Sequence, residues 1–477
     1  LFGTNASSVN GTYSSASESD LKNQNTFVDW DFENVWIIDA VLNDGMPYLR
    51  IEDELAPTLI PLANIQDVLS INSSAKRIFA FGTDEEVLAS GGLNNHYYLV
   101  NDIDMSTAND GNPFDSFLIG GFGDTFTGSL DGRGHTLSNV TIEQSSGAYS
   151  GLFFELESAT IQNLTFDNIQ IKDAFDTAGI LAPFVFSETG SDPITLSNIH
   201  ILNSKVEIKN ADKIPRFEGD LDYGRFGGLF GSISLPLISM SSLTIDVDVS
   251  IEGNDLSQSR KAVVGGVIGE SRFGNFAKNI FAENLTLSGV LSYPAEEAMG
   301  GFIGRITDPS EDAQLTFSSV HVIESISSDE RHVGGIIGLV ENSRADILIT
   351  QSSINADITG SFRIGGFIGY AWKLSSLEIG HSTVAGSIIG SSVHVGGFIG
   401  EIDTGIVTLS AITNSASVNG TDEIGGIVGD NNAENLSILS STNTGSIQNE
   451  NTDTVGGFIG FNEGSLIISS STNAGSV

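Results

Sequence analysis

Eight copies of one phrase govern what this chain can fold into. A glycine pair, two apolar residues and a third glycine recur, with the first glycine at Gly227, Gly265, Gly300, Gly334, Gly365, Gly396, Gly425 and Gly456. Successive copies lie 38, 35, 34, 31, 31, 29 and 31 residues apart, so the period tightens toward the C-terminus. Phe, Ile or Val precedes the third glycine in every copy. A fixed period near 30 residues is the signature of a repeat architecture rather than of several ordinary domains.

Between the phrases lie short segments in which apolar residues mostly alternate with others. They read Leu315-Thr316-Phe317, Ile347-Leu348-Ile349, Leu377-Glu378-Ile379, Val407-Thr408-Leu409, Leu436-Ser437-Ile438 and Leu466-Ile467-Ile468. Period two is a strand signal. Nine residues beyond each comes another aliphatic: Ile326, Ile358, Ile388, Val418, Ile447 and Val477. Each repeat therefore has three apolar beats separated by polar turns. A unit this small cannot bury its apolar face alone, and stacking copies buries it. The expectation is an all-β fold, a right-handed parallel β-helix of about ten coils of ~30 residues, at about 4.8 Å per coil. An antiparallel sandwich of hairpins is the alternative, but hairpins do not demand a fixed period. The glycines are expected to permit unusual backbone conformations and to let coils approach closely. The third-glycine column, Gly369, Gly400, Gly429 and Gly460, is placed at a repeated corner.

One column changes identity along the array. Val322, Ile354 and Val384 give way to Asn414, Asn443 and Asn473. Stacked asparagines can hydrogen-bond amide to amide along a cross-β axis. The column reads either as an internal ladder at a turn or as a groove for a ligand or ion, and the aliphatic exchange favours the ladder.

Four regions follow from the patterning: residues 1–56, closing a preceding repeat array; 57–78, a linker; 79–225, an entry segment and irregular first coils; and 226–477, the regular β-helix, ending where another glycine phrase is due. Thr83-Asp84-Glu85-Glu86 fits a capping box for one short helix. The stretch 206–224 reads as an insertion extending from the helix. The first and last residues fall inside arrays, so the chain is expected to be a window on a longer protein.

The phrases Gly-Gly-Phe-Ile-Gly and Gly-Gly-Leu-Phe-Gly, with "FTGSLDGRGHTLSNVTI", "YYLVNDIDMS" and "WDFENVWIIDAVLNDGMPYLRI", resemble the GLUG-motif repeats of bacterial surface proteins. The resemblance covers nearly the whole chain and implies a large secreted, adhesin-like or cell-surface protein, sometimes attached to an IgA-cleaving metallopeptidase. The peptidase cannot be carried over, because the sequence has no His-Glu-x-x-His.

A formal charge of -40 argues against nucleic acid and anionic lipid as partners. No apolar run is long enough to span a membrane as a helix, and "LFGTNASSVNG" does not read as a signal peptide. With no Cys there is neither a disulfide framework nor a thiolate metal site. The seven histidines, His96, His135, His200, His321, His332, His381 and His394, form no HxH or HxxxH pair. His135 reads as a turn residue. Asp102-Ile103-Asp104 and "DPSED" at 308–312 can offer carboxylates to Ca²⁺, but each also reads as a solvated loop. Asn-x-Ser/Thr triplets occur at the rate expected by chance in so polar a chain.

The functional expectation is a non-enzymatic extracellular structural or adhesive segment with no catalytic residues and no cofactor, apart from Ca²⁺ at acidic loops. Its partners would be surface glycans, proteins or copies of itself. A self-assembling fibre or sheath subunit and a glycan-active β-helix enzyme are the rivals. The enzyme would need clustered carboxylates in a cleft.

Overall fold

In the computed structural model the chain divides into two compact units, Leu1–Leu59 and Ile60–Val477. The structure describes residues 36–37, 48–49, 59–71 and most of 92–477, leaving aside chiefly 144–148, 187–192, 209–223, 252–261, 273–278, 308–312 and 450–453. In the first unit, Trp36–Ile37 pairs antiparallel with Tyr48–Leu49. The expected helix at 83–86, the acidic stretch 308–312 and most of the expected insertion lie outside the described residues.

The second unit is a parallel β-solenoid of about ten turns. One coil shows how the sequence makes it. Val393–Gly396 leads into the glycine corner, and Ile399–Ile402 leaves it. Ile406–Ser410 then runs along a broad face, and Thr413–Asn414 and Ser417–Gly420 bring the chain back. Stacked coil on coil, the strands before the corner form one eleven-stranded sheet and those after it another, while the remainder join a 25-stranded sheet. The repeat period sets the register. Gly365 pairs with Gly396, Gly396 with Gly425, and Gly425 with Gly456. Ile368 pairs with Ile399, Ile399 with Val428, and Val428 with Ile459 by the same stagger.

Like residues therefore pile up inside. Phe302, Phe367 and Phe398 are wholly buried, and the rings of the last two stack 5.0 Å apart with only 3° between their planes. Each such side chain contributes about 2–3 kcal/mol of apolar burial. One buried cluster runs from Leu62 to Ile447, so the irregular first coils and the regular ones share a core.

The glycines work by close approach and not by backbone freedom. Gly369, Gly400, Gly429 and Gly460 sit second in the strand that leaves the corner, and none has φ in the left-handed region. A Cβ on Gly400 would lie 2.5 Å from the Gly369 carbonyl oxygen of the previous coil, and one on Gly429 2.5 Å from that of Gly400. The expectation of special conformations at these glycines is thus corrected. The left-handed residues are elsewhere: Asn284, Ser319, Gln351, His381, Ala411, Ser440 and Ser470 repeat at one turn of the broad face with φ between 51° and 57°. Ser352, Ser382 and Ser441 follow that turn, buried, and their hydroxyls bridge it. Ser382 Oγ donates to the Gly380 carbonyl at 2.8 Å and accepts from the Ser352 amide at 3.2 Å.

The stretch read as a linker is partly structured. Leu59–Leu62 is a strand and Ile65–Leu69 a helix capped by Asn64 and Asp67, and Leu62, Val68 and Ile71 are buried in the core. Apolar residues at those spacings suffice for one amphipathic turn, which composition alone conceals.

Candidate functional site

The asparagine column forms a hydrogen-bonded stack. Asn414 Nδ2 donates to Asn443 Oδ1 at 2.9 Å, and Asn443 Nδ2 donates to Asn473 Oδ1 at 2.8 Å. Asn414 and Asn443 are fully buried, while Asn473 is exposed on the last coil. Each buried side chain also closes the turn that follows it: Asn414 Oδ1 accepts from the Ala416 amide and Asn443 Oδ1 from the Gly445 amide. Where Val384 occupies the column the strand runs on unbroken from Thr383 to Gly390; where asparagine does, it breaks. The amides are spent on one another and on backbone, which makes the column a structural spine. A second stack escaped the sequence reading. Asn431, fully buried, donates to Asn462 Oδ1 at 2.7 Å. Its signal was the same exchange, since Ile402 pairs with Asn431 one coil earlier.

The chemistry-bearing groups gather at a place the sequence reading did not single out. Two columns flank the glycine corner, one two residues before the first glycine and one five residues after it. Their side chains meet in a seam running along the stack. Arg225 of the first column binds Glu270 of the second, with the two side chains 3% and 0% exposed. Arg272 reaches the same carboxylate at 2.6 Å. Arg305 pairs with Glu341.

Further along, Arg363 holds Glu401 through Nε and Nη2. Its guanidinium lies 3.9 Å from the centre of the Tyr370 ring and 4.4 Å from that of Phe362. Such cation–π contacts, partly desolvated, keep the side chain fixed. His332 packs at a 34° tilt against Tyr370 and stands 3.1 Å from Arg363 Nη1 through Nε2, while its Nδ1 faces the Glu297 carbonyl at 3.0 Å. Burial, reinforced by the Arg363 charge, pushes the His332 imidazole down to about 3. It is therefore neutral, donating through Nδ1 and accepting through Nε2.

Next in the seam, His394 contacts Glu401 through Nδ1 and Glu423 through Nε2. Asp430 completes the group, with one ligand atom from each of His394, Glu423 and Asp430 lying within 4.8 Å of one another. Burial works against ionising Glu401, yet hydrogen bonds from His394 and Arg363 outweigh it and hold the carboxyl below its usual range. Asp430 goes the other way: burial, with Glu401 and Glu423 nearby, raises it to about 6 against the opposing pull of His394. Glu423 is raised for the same first cause, burial. His332, Arg363, His394 and Glu423 also share a left-handed backbone, with φ of 62°, 64°, 63° and 51°. Non-glycine residues adopt that region at a cost and mostly where surrounding structure enforces it. The missed signal was the offset from the motif glycines: His394 to Glu401 and Glu423 to Asp430 have the same spacing of seven.

The acidic stretch Asp102-Ile103-Asp104 is engaged chiefly by the next coil, with one local turn at Ser106. Asp102 Oδ1 accepts from the Thr136 amide at 3.0 Å and meets His135 Nδ1 at 3.1 Å; Asp104 Oδ1 accepts from the Ser106 amide and from Asn139. No helix among the described residues is long and apolar enough to cross a membrane.

No protein-family model matches the sequence. Halomucin of Haloquadratum walsbyi is 40% identical over 101 residues, which is 20% of this chain and 1% of halomucin, so the match takes in a very small part of that relative. A solved structure from Bacteroides ovatus, described as a candidate immunoglobulin A1 protease, aligns over 74% of each chain with a TM-score of 0.32 and 17% identity. At those values the likeness carries no argument about this chain.

Proposed function

We propose that the chain is a non-enzymatic, extracellular β-solenoid segment of a larger surface protein, a rigid rod that sets distance and presents its coil surfaces to glycans, proteins or other copies. The observation that carries this reading is the coil-to-coil register of the glycine corner. The first glycine of the corner stacks in register from Gly227 to Gly456, and eleven strands at one strand spacing each give about 50 Å of stack. The glycine phrases support grouping it with GLUG-type repeat segments of surface proteins. Similarity to a stretch of halomucin, whose name points to a mucin-like protein, supports surface placement. A depression of about 260 Å³ lined by Phe154, Phe184 and Phe186 contains one carboxylate, Glu155, where glycoside cleavage uses two.

Two measurements test the proposal. Antibodies to the whole chain should label intact cells, and labelling only after permeabilisation would overturn surface placement. The purified chain should leave plant, algal and bacterial polysaccharides uncut. Reproducible cleavage that disappears in Glu155→Gln or Glu401→Gln would overturn the non-enzymatic reading.

A further inference from the structure

We propose that His394, Glu423 and Asp430 bind one divalent transition-metal ion, with Glu401 orienting the imidazole, and that this ion clamps two consecutive coils together. The comparison that points to it lies within the chain. Every other carboxylate named in the seam meets a guanidinium: Glu270 has Arg225 and Arg272, Glu341 has Arg305, and Glu401 has Arg363. Glu423 and Asp430 meet no guanidinium among the described residues, and the basic group beside them is the His394 imidazole. Three carboxylates beside one arginine and one imidazole leave net negative charge even when that imidazole is protonated. A divalent cation supplies what arginine supplies in the earlier coils.

A second observation is independent of the acidic grouping. Asp430 is only 5% exposed, and its Oδ1 is buried without a hydrogen-bond partner, while Oδ2 accepts from Asn432 at 3.0 Å. An oxygen left bare inside a protein costs free energy unless something fills the place. Glu423 Oε2 is also buried, and it meets His394 Nε2, the nitrogen left free by Glu401.

The arrangement has the parts of a metal site. Nε2 of His394 is the ligand, and Nδ1 is held by Glu401, the carboxylate–histidine pairing that fixes ring orientation and raises ligand basicity. The backbone sets the alignment, because Glu401 pairs in register with Asp430, and Val393 and Val395, which flank His394, pair with Asp422 and Ile424, which flank Glu423. Ligand atoms about a tetrahedral zinc ion stand about 3.4 Å apart, so the present spread of up to 4.8 Å closes by small side-chain rotations. The side chains of His394 and Glu423 are 14% and 22% exposed, which gives an ion a way in and leaves room for water as a fourth ligand. A nitrogen ligand with two carboxylates selects Zn²⁺ or Co²⁺ over Ca²⁺ and Mg²⁺, which prefer oxygen alone.

The test uses the whole chain, stripped with chelator and titrated with Co²⁺ and Zn²⁺. One equivalent of Co²⁺ should bind with ligand-field absorption and be displaced by Zn²⁺ but not by millimolar Ca²⁺. His394→Gln and the isosteric Asp430→Asn should each weaken binding at least tenfold, Glu401→Gln about tenfold, and His135→Gln not at all. Circular dichroism shows which variants remain folded. In the unsubstituted chain, the ¹⁵N signal of His394 Nε2 should shift on Zn²⁺ addition, whatever the variants do. Absence of that shift, binding that survives His394→Gln, or equal competition by Ca²⁺ would overturn the proposal.

Discussion

Replacing Asn443 with valine tests how the last coils are held. The Asn443 side chain takes part in four hydrogen bonds: Nδ2 to Asn473 Oδ1 and to the Gly457 carbonyl, both at 2.8 Å, and Oδ1 from Asn414 Nδ2 at 2.9 Å and from the Gly445 amide at 3.2 Å. Valine fits the column sterically, since Val384 already occupies it two coils earlier. The loss is therefore polar. Asn473 Oδ1 is exposed and turns to water, and the Gly445 amide keeps a longer bond to the Asn414 carbonyl at 3.3 Å. Asn414 Nδ2, fully buried, is left with only the Ala416 carbonyl at 3.5 Å, and the Gly457 carbonyl loses its amide donor. One buried group left short, at about 1–3 kcal/mol, and one half-buried group at less give a cost of about 1–4 kcal/mol. In a solenoid each coil leans only on its neighbours, so the loss should appear first as local opening. Amide hydrogen exchange over 396–477 should accelerate by one to three orders of magnitude, with 100–250 little changed. A double-mutant cycle sharpens the test. Asn414→Val combined with Asn443→Val removes both amides and should cost at least about 1 kcal/mol less than the sum of the single changes. Unchanged exchange in Asn443→Val, or strict additivity in the cycle, would refute the hydrogen-bonded spine.

Gly400→Ala should destabilise by about 3 kcal/mol or more, because the new Cβ meets backbone at 2.5, 2.6 and 2.7 Å and none of it can swing aside. Gly380→Ala, whose nearest neighbour is the Ser410 hydroxyl at 3.3 Å, should cost under about 1 kcal/mol. Equal denaturation midpoints for the two would remove the close-approach explanation. His332 carries a pH dependence of defined sign. Its folded value is pushed down to about 3 from 6.5 by burial and by Arg363 and Arg331, against the Glu297 carbonyl and Glu401. Between those values the unfolded chain binds the extra proton. The contribution is complete above pH 6.5 and is lost as pH falls toward 3, by up to about 4–5 kcal/mol. His332→Gln should flatten stability against pH across that window relative to the unsubstituted chain, and identical pH profiles would count against a buried neutral imidazole.

The repeat period by itself determined the architecture. Strands that alternate at period two, glycines at a fixed offset and a unit too small to stand alone leave little but a stacked parallel solenoid, and the Val384-to-Asn414 exchange marked the polar spine. Those features are legible because they recur at one spacing, so a single chain supplies its own comparison. The seam was not legible in that way. His332, Arg363, His394 and Glu423 share a column in which the residue type changes from each coil to the next, and each works with a partner from the second column or the next coil. Spacing along the chain sees neither link. Burial opposes ionisation at both carboxylates and their partners decide the outcome: Glu401 is held low by hydrogen bonds from His394 and Arg363, whereas Asp430, where no guanidinium arrives, is raised. The backbone period is a property of the sequence, whereas the charge around a buried group depends on which side chains the coils bring within a few ångströms of it, and that only the tertiary structure fixes.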